Sequence, residues 1–393
     1  MQKQNLSSNI WKIYLIKAIK SGMFVMPVIV LFFKENGLTM KEILILQSLF
    51  SISVIILEVP TGYFADRFSR KTSILIGGVV ATLGWGLYSL SYSFAGFLLA
   101  EITLGVGLCF ISGADSAMLY DTLLESGEAH EYKKVEGRNG SIGMISEGVT
   151  SVIGGFLALV SLRFPLYWDV GLAFLVIPAA FMLIEPEKSK KQTNESSLIQ
   201  MWKLIKFSLS DHKEIKWLII YSAIVSAATL TAVWFIQIYW VTTGVLIGYF
   251  GILWATLLFA SAFFSWHAGG IEKFLGRKKS LMALIVLPAV GYFLLSSFMF
   301  IWSGIFMLLF YITRGINNPI ISDYINGLVS SDVRATILSV KNLVGRVMFS
   351  VVGPFAGWIN DAISLQMALA SSGAIFLLSG MVALLFMRKH KAL

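Results

Sequence analysis

Residues 62–71 read Gly62-Tyr-Phe-Ala-Asp66-Arg67-Phe-Ser-Arg70-Lys71. Four charged side chains fall within six positions, and long apolar runs flank them, near 43–64 and 73–93. A helix needs ~20 apolar residues to cross hydrocarbon, so the stretch reads as a short polar loop joining two spans. Working outward, runs of the same length recur near 10–33, 95–124, 138–160, 164–184, 214–241, 246–269, 280–299, 302–328, 335–359 and 364–387. Hydrocarbon offers an unpaired backbone group no partner, so these runs must be helices. The ~10-residue alternating segments of a membrane barrel do not occur. The first run is too long and too rich in lysine for a cleaved signal peptide, and no small-residue cleavage site follows it. The expected fold is an all-α membrane protein of twelve transmembrane helices.

Composition supports this. The chain has 393 residues, of which 56% are hydrophobic and 13% charged. A soluble domain carries about 25% charged residues, so too few remain here to cover a wet surface. A soluble enzyme, a disordered chain and a nucleic-acid-binding module are excluded. Cys109 is the one cysteine and the four histidines are scattered, which leaves no disulfide framework and no metal site. No phosphate-binding Gly-x-x-x-x-Gly-Lys-Ser/Thr loop exists, and no nucleophile–base set sits at one membrane face. No cofactor and no enzymatic activity are expected.

The net charge of +9 follows from topology. With the N-terminus inside, 23 Lys and Arg fall in inner segments, three (Lys34, Lys41, Arg163) in outer loops and five within spans. Basic loops stay cytoplasmic, so both termini are expected in the cytoplasm, and a nucleic-acid partner is not needed. The longest inner loop is polar and divides the chain into halves at 1–184, 185–213 (linker, with a surface helix near 201–209) and 214–393.

The halves look like a repeat. Ser112-Gly-Ala-Asp115-Ser-Ala-Met-Leu-Tyr-Asp121 aligns with Arg314-Gly-Ile-Asn317-Asn-Pro-Ile-Ile-Ser-Asp323 at an offset of 202. Gly154-Gly155 aligns with Gly353-Pro354 at 199, and the 62–71 loop with Ile271-Glu-Lys-Phe-Leu-Gly-Arg-Lys278 at about 206. Two pseudo-symmetric six-helix halves around a central cavity form a transporter architecture.

The 62–71 loop resembles the Gly-x-x-x-Asp-Arg-x-Gly-Arg-Arg loop of the major facilitator superfamily (MFS), in the position between spans two and three where that family has it. The resemblance covers the whole chain. It implies that Gly62, Asp66, Arg67, Arg70, Lys71 and Asp121 gate the conformational change, and that spans one, four, seven and ten line the cavity. The residues themselves read the same way: Gly62 permits close helix approach, Asp66 can accept from Arg70, and Arg70 can reach Asp121. Ser69 stands where the family has Gly, which puts the tight turn there in question. Two antiporter signatures are degenerate: Glu101-Ile-Thr-Leu-Gly105 carries an acid where the family has Arg, and Glu147 to Gly155 has the glycines without the proline.

Ionisable groups within spans cost ~2.5–3.5 kcal/mol even on the mildest scale, so those retained are functional candidates. Lys17 and Lys20 share a face of span one. Glu101 and Asp115 lie 14 positions apart, on one stripe at two levels. Asp115, Glu101, Arg314, Lys17, Lys20, Asn317 and Asn318 are the expected substrate and proton contacts, with Asn317-Asn318-Pro319 expected to interrupt span ten. Glu147 and Arg346 occupy symmetric positions and are expected to pair as a structural charge pair. Trp234, Gln237, Tyr239 and Trp240 read either as substrate contacts or as an interfacial belt.

The function expected is a secondary active transporter of the cytoplasmic (inner) membrane, working by alternating access, coupled to protons and acting as a monomer in the bilayer. It would export amphipathic small molecules such as drugs. The alternatives are a proton symporter that takes up an organic anion or metabolite and, from another class, a non-transporting membrane receptor.

Overall fold

The computed structural model describes residues 6–186 and 212–390. Most of the expected linker, its surface helix and the lysines at 3, 188, 190, 191, 203, 206 and 391 lie outside the described residues. Among the described residues, twelve helices are long and apolar enough to cross a membrane. They are span 1 (Asn9–Glu35), span 2 (Met40–Arg67), span 3 (Arg70–Leu90), span 4 (Phe94–Glu125), span 5 (Ala129–Leu157) and span 6 (Phe164–Phe181). Span 7 (Lys213–Thr242), span 8 (Ile247–Trp266), span 9 (Arg277–Ser297), span 10 (Ile301–Asn326), span 11 (Thr336–Ala362) and span 12 (Leu365–Lys389) follow. No strand occurs among the described residues. The chain is a multi-pass membrane protein.

The largest boundary difference is at span 5, expected from 138 and observed from Ala129. A helix does not stop at the edge of the apolar stretch, because its backbone bonds are internal and polar side chains simply reach water. Span 7 is the most enclosed, with 83% of its apolar window buried against 28% for spans 8 and 11. Trp234, Gln237, Tyr239 and Trp240 are buried within it. The Tyr239 hydroxyl is used inside the protein, lying 2.5 Å from both the Phe298 carbonyl and Ser303 Oγ. An interfacial belt is therefore not what these residues form.

The chain divides into two compact units: Met1–Phe32, Leu49–Glu195 and Ile247–Ala255 in the first, and Phe33–Ser48, Ser196–Leu246 and Thr256–Leu393 in the second. The two short segments that leave chain order are held by close backbone contacts. In the second unit, Asp361 accepts from the backbone N–H groups of Met40 (3.1 Å) and Lys41 (2.7 Å), with Lys34 Nζ 3.7 Å away. A side chain at Gly357 would lie 2.8 Å from the Met40 carbonyl oxygen. In the first unit, a side chain at Gly251 would lie 2.1 Å from the Ser151 carbonyl oxygen. Such glycines let helix backbones touch in the absence of a hydrophobic drive.

Span 1 is not the continuous helix its apolar run suggests. It is helical over Asn9–Ser21, opens at Gly22, and resumes through a single 3-10 turn at Met26–Val28 into Ile29–Glu35. Pro27 removes one donor from this break. The remaining N–H groups find side chains: Met23 donates to Thr150 Oγ1 (3.0 Å), and Phe24 and Val25 donate to the two carboxylate oxygens of Asp169 (2.8 and 3.0 Å). Asp169 is 1% exposed. An unpaired buried donor costs about 1–3 kcal/mol, so Asp169→Ala is expected to lower stability by about 2–5 kcal/mol, and Asp169→Asn, which keeps one acceptor, by less. Thermal melting of the purified variants checks this; equal melting of the two would overturn the account.

Span 10 corrects a second expectation. Its α-helix runs from Leu308 to Asn326 with Pro319 inside it, so Asn317-Asn318-Pro319 does not interrupt the span. Proline here removes only one bond from an otherwise intact ladder.

Candidate functional site

In the first unit, four charged side chains from three spans gather around Asp115. Lys20 of span 1 forms an ion pair with Asp115 of span 4, and the two side chains are 12% and 3% exposed. Asp115 also accepts from the Ser116 N–H at 2.7 Å. Lys17 is half-buried three residues before Lys20, with Asp115 and Glu136 of span 5 among the charges nearest to it. Glu136 accepts from Ser116 Oγ at 3.2 Å. Glu136 was missed in the sequence because span 5 was expected to begin after it; a search for helical residues beyond the apolar edge would have found it. Two lysines face two carboxylates, so the cluster is close to neutral, the arrangement low-dielectric surroundings demand.

Glu101 lies elsewhere. It is 5% exposed and accepts from the Tyr88 hydroxyl of span 3 at 2.5 Å. Fourteen residues of helix rise ~21 Å, so Glu101 and Asp115 stand at opposite ends of span 4 with different partners.

The 62–71 motif assembles around Arg70. Its guanidinium forms an ion pair with Asp121, donates to the Ala117 carbonyl and lies 3.9 Å from Asp66. Lys71 Nζ donates to the carbonyls of Phe181 (2.8 Å) and Leu183 (2.7 Å). Arg67 donates to the Tyr63 hydroxyl at 2.7 Å. Glu185, unnoticed in the sequence, completes the site. Its carboxylate accepts from Ser69 Oγ (2.7 Å), Arg70 N (2.8 Å) and Lys71 N (2.8 Å), an anion on the free N–H groups at the start of span 3. Ser69 caps that helix by accepting from Thr72 N at 3.0 Å, with φ −168°, an extended conformation open to any residue. In the second copy, Gly276 starts span 9 at φ +75°, which favours glycine. The two copies thus make the same turn by different backbone routes. One expectation fails: no atom among the described residues lies within 4 Å of a side chain added at Gly62, so no close helix approach occurs there. The close approaches are at Gly77, Gly84, Gly105 and Gly107, where spans 3, 4 and 2 meet.

In the second unit, Arg314 is exposed on span 10 and forms no ion pair among the described residues. Asn317 is buried and donates to Ser226 Oγ of span 7 at 3.2 Å, while its carbonyl oxygen has no partner. Asn318 accepts from Lys341 Nζ of span 11 at 2.6 Å. Glu147 and Arg346 are each half-buried, in the first and second unit respectively. Among the described residues no group of three His, Cys, Asp or Glu is placed to hold a metal ion.

The sequence model of the Major Facilitator Superfamily matches residues 13–352. The chain belongs to the major facilitator superfamily. Two curated relatives share part of its length. Quinolone resistance protein NorA of Staphylococcus aureus is 25% identical over 166 residues, covering 42% of each chain. Multidrug resistance protein 2 of Bacillus subtilis is 27% identical over 175 residues, covering 44% of this chain and 42% of that one. The chain thus spans less than half the length of these relatives. Solved structures share the fold over nearly the full length. The nucleoside transporter NupG superposes with a TM-score of 0.77 at 14% identity, covering 99% of this chain and 98% of that one. A bacterial homologue of the human lysosomal transporter Spinster gives 0.71 at 16% identity, covering 98% and 95%.

Proposed function

We propose that the protein is a proton-coupled secondary transporter of the cytoplasmic membrane that exports amphipathic small molecules by alternating access, as a monomer with both termini in the cytoplasm. The Lys20–Asp115 ion pair, held in the membrane interior beside Lys17 and Glu136, carries this reading. Protonating Asp115 would leave two lysines against one carboxylate, a charge imbalance that low-dielectric surroundings disfavour and that water or a charged solute relieves. Proton uptake thereby biases the protein between a sealed and an opened state, which is the differential interaction a coupled change requires. The export direction rests on the two relatives named for drug resistance. Reconstituted protein is expected to move a fluorescent amphiphile against its gradient when a proton gradient is imposed, and to stop when the gradient is collapsed. Movement that ignores the proton gradient would sink the coupling.

A second reading, uptake of an organic anion by proton symport, is favoured by Arg314, a cation on span 10 with no ion pair among the described residues. Reversing the imposed gradient in the same vesicles separates the two.

The Arg70 cluster serves as the conformational latch in this proposal. Asp66→Asn is expected to cut transport about tenfold, about 1.4 kcal/mol in the barrier, while ligand affinity stays near wild type. Unchanged transport would remove the latch role.

A further inference from the structure

Spans 7–12 differ from spans 1–6 in how their interior charges are balanced. Lys20 of span 1 has a carboxylate partner. Lys341 of span 11 does not. It is 5% exposed, and its ammonium donates to two neutral oxygens, Asn318 Oδ1 at 2.6 Å and Ser322 Oγ at 3.1 Å. No carboxylate among the described residues forms an ion pair with it. Arg314 lies four residues before Asn318, and Ser322 four residues after, so the three share one face of span 10 at successive turns of ~6 Å. A second cation without an ion pair among the described residues, Arg314, thus stands one turn from Asn318, which holds Lys341. Asn318 is exposed where Lys341 is buried, so the pair opens through Asn318. With its oxygen turned to Lys341, the amide N–H groups of Asn318 are left to donate. Beside them, the buried Asn317 Oδ1 has no donor.

The second unit therefore presents Arg314 and the Asn318 amide on one face of span 10, the Lys341 ammonium of span 11 against that amide, and the unfilled Asn317 Oδ1 at the adjoining position, with no ion-paired carboxylate at either cation among the described residues. A cation inside a membrane protein is costly and is normally matched by an acid or by the solute it serves. We propose that Lys341, Asn318 and Arg314 form the docking site for a carboxylate carried by the transported amphiphile, with Asn317 Oδ1 accepting from a hydroxyl or amine on the same molecule. This rests on the transporter reading and adds the charge class of its substrate: the cargo is an anion or a zwitterion. A carboxylate fits because Lys341 Nζ and the Asn318 amide offer donors to its two oxygens. A purely cationic amphiphile would meet like charge at Lys341 and Arg314.

The test is binding to the purified full-length protein, with 2-naphthoate, its methyl ester and 2-naphthylmethylamine as probes that share a ring system. Naphthoate is expected to bind at least tenfold tighter than the ester or the amine. Lys341→Gln should lose that tenfold preference, Lys341→Arg should keep most of it, and ester binding should stay unchanged in both. Asn318→Ala, at an exposed position that threatens folding less, should lose at least threefold for naphthoate alone. Absence of naphthoate binding, equal binding of naphthoate and ester, or unchanged naphthoate affinity in both Lys341→Gln and Asn318→Ala would overturn the proposal. Flux in reconstituted vesicles separates this from failure of the transporter reading. Naphthoate bound with the expected preference, but no amphiphile moved, would leave the site standing and remove transport.

Discussion

Asp115→Asn is expected to abolish proton-driven transport and to destabilise the protein, and the double variant Lys20→Gln/Asp115→Asn is expected to regain the stability without regaining transport. The ion pair is nearly closed to water, with Asp115 3% exposed. Breaking such a pair from one side strands a buried charge, which costs about 3–5 kcal/mol. Neutralising both partners removes the stranded charge, so most of that loss returns. Transport does not return, because no group at that position then changes charge with the proton. Thermal melting and proton-driven flux, measured on the same three preparations, give the two readouts. Recovery of flux in the double variant would make the pair purely structural and end its role in coupling. Unaltered stability in Asp115→Asn would mean that water, and not Lys20, balances the carboxylate.

The largest effect on folding is expected at Gly154. A side chain there would begin 1.8 Å from the carbonyl oxygen of Phe24 and 2.6 Å from its carbon. Both are backbone atoms, so no rotamer change relieves the clash. They also sit in the opened stretch of span 1, where Met23, Phe24 and Val25 depend on Thr150 and Asp169 for their hydrogen bonds. Pushing span 1 away stretches all three. Overpacking alone costs about 1–3 kcal/mol, and each donor left without a partner about 1–3 more. Gly154→Ala is therefore expected to yield little folded protein, or protein destabilised by at least about 3 kcal/mol. Gly113→Ala is the control: beyond its own helix backbone, no atom among the described residues lies within 4 Å of its added carbon, and it should melt no lower than wild type. Comparable melting of the two variants would refute the contact.

These two sites differ in how far the sequence announces them. Asp115 and Lys20 are conspicuous because charge inside an apolar run is rare and expensive, and helical spacing put Lys17 and Lys20 on one face. Arg70 with Asp66 and Asp121 was legible for a related reason: a dense charged loop between spans has few places to find partners. Gly154 stands out in the sequence with Gly155 as a repeated pair, but nothing local says which backbone will press against it. Asp169 and Glu185 were silent. Each is a lone acid held mainly by backbone N–H groups more than a hundred positions away, and backbone groups leave no mark in a sequence. Glu136 was hidden by the assumption that a span begins where hydropathy rises.

Hydrophobic run length determined from sequence alone that the chain forms twelve helices of membrane-crossing length, because crossing hydrocarbon requires every backbone group to be paired within its own segment, and the resemblance of the 62–71 loop pointed to the family. Tertiary structure decided where that pairing is deliberately broken. Span 1 opens at Gly22 because span 5 and span 6 supply acceptors there, and span 10 stays whole through Pro319. It also decided which charges are matched: Lys20 meets Asp115, while Lys341 meets neutral oxygens and no carboxylate among the described residues. Charge balance depends on distances of a few ångströms between helices far apart in the chain, and only the packed protein sets those.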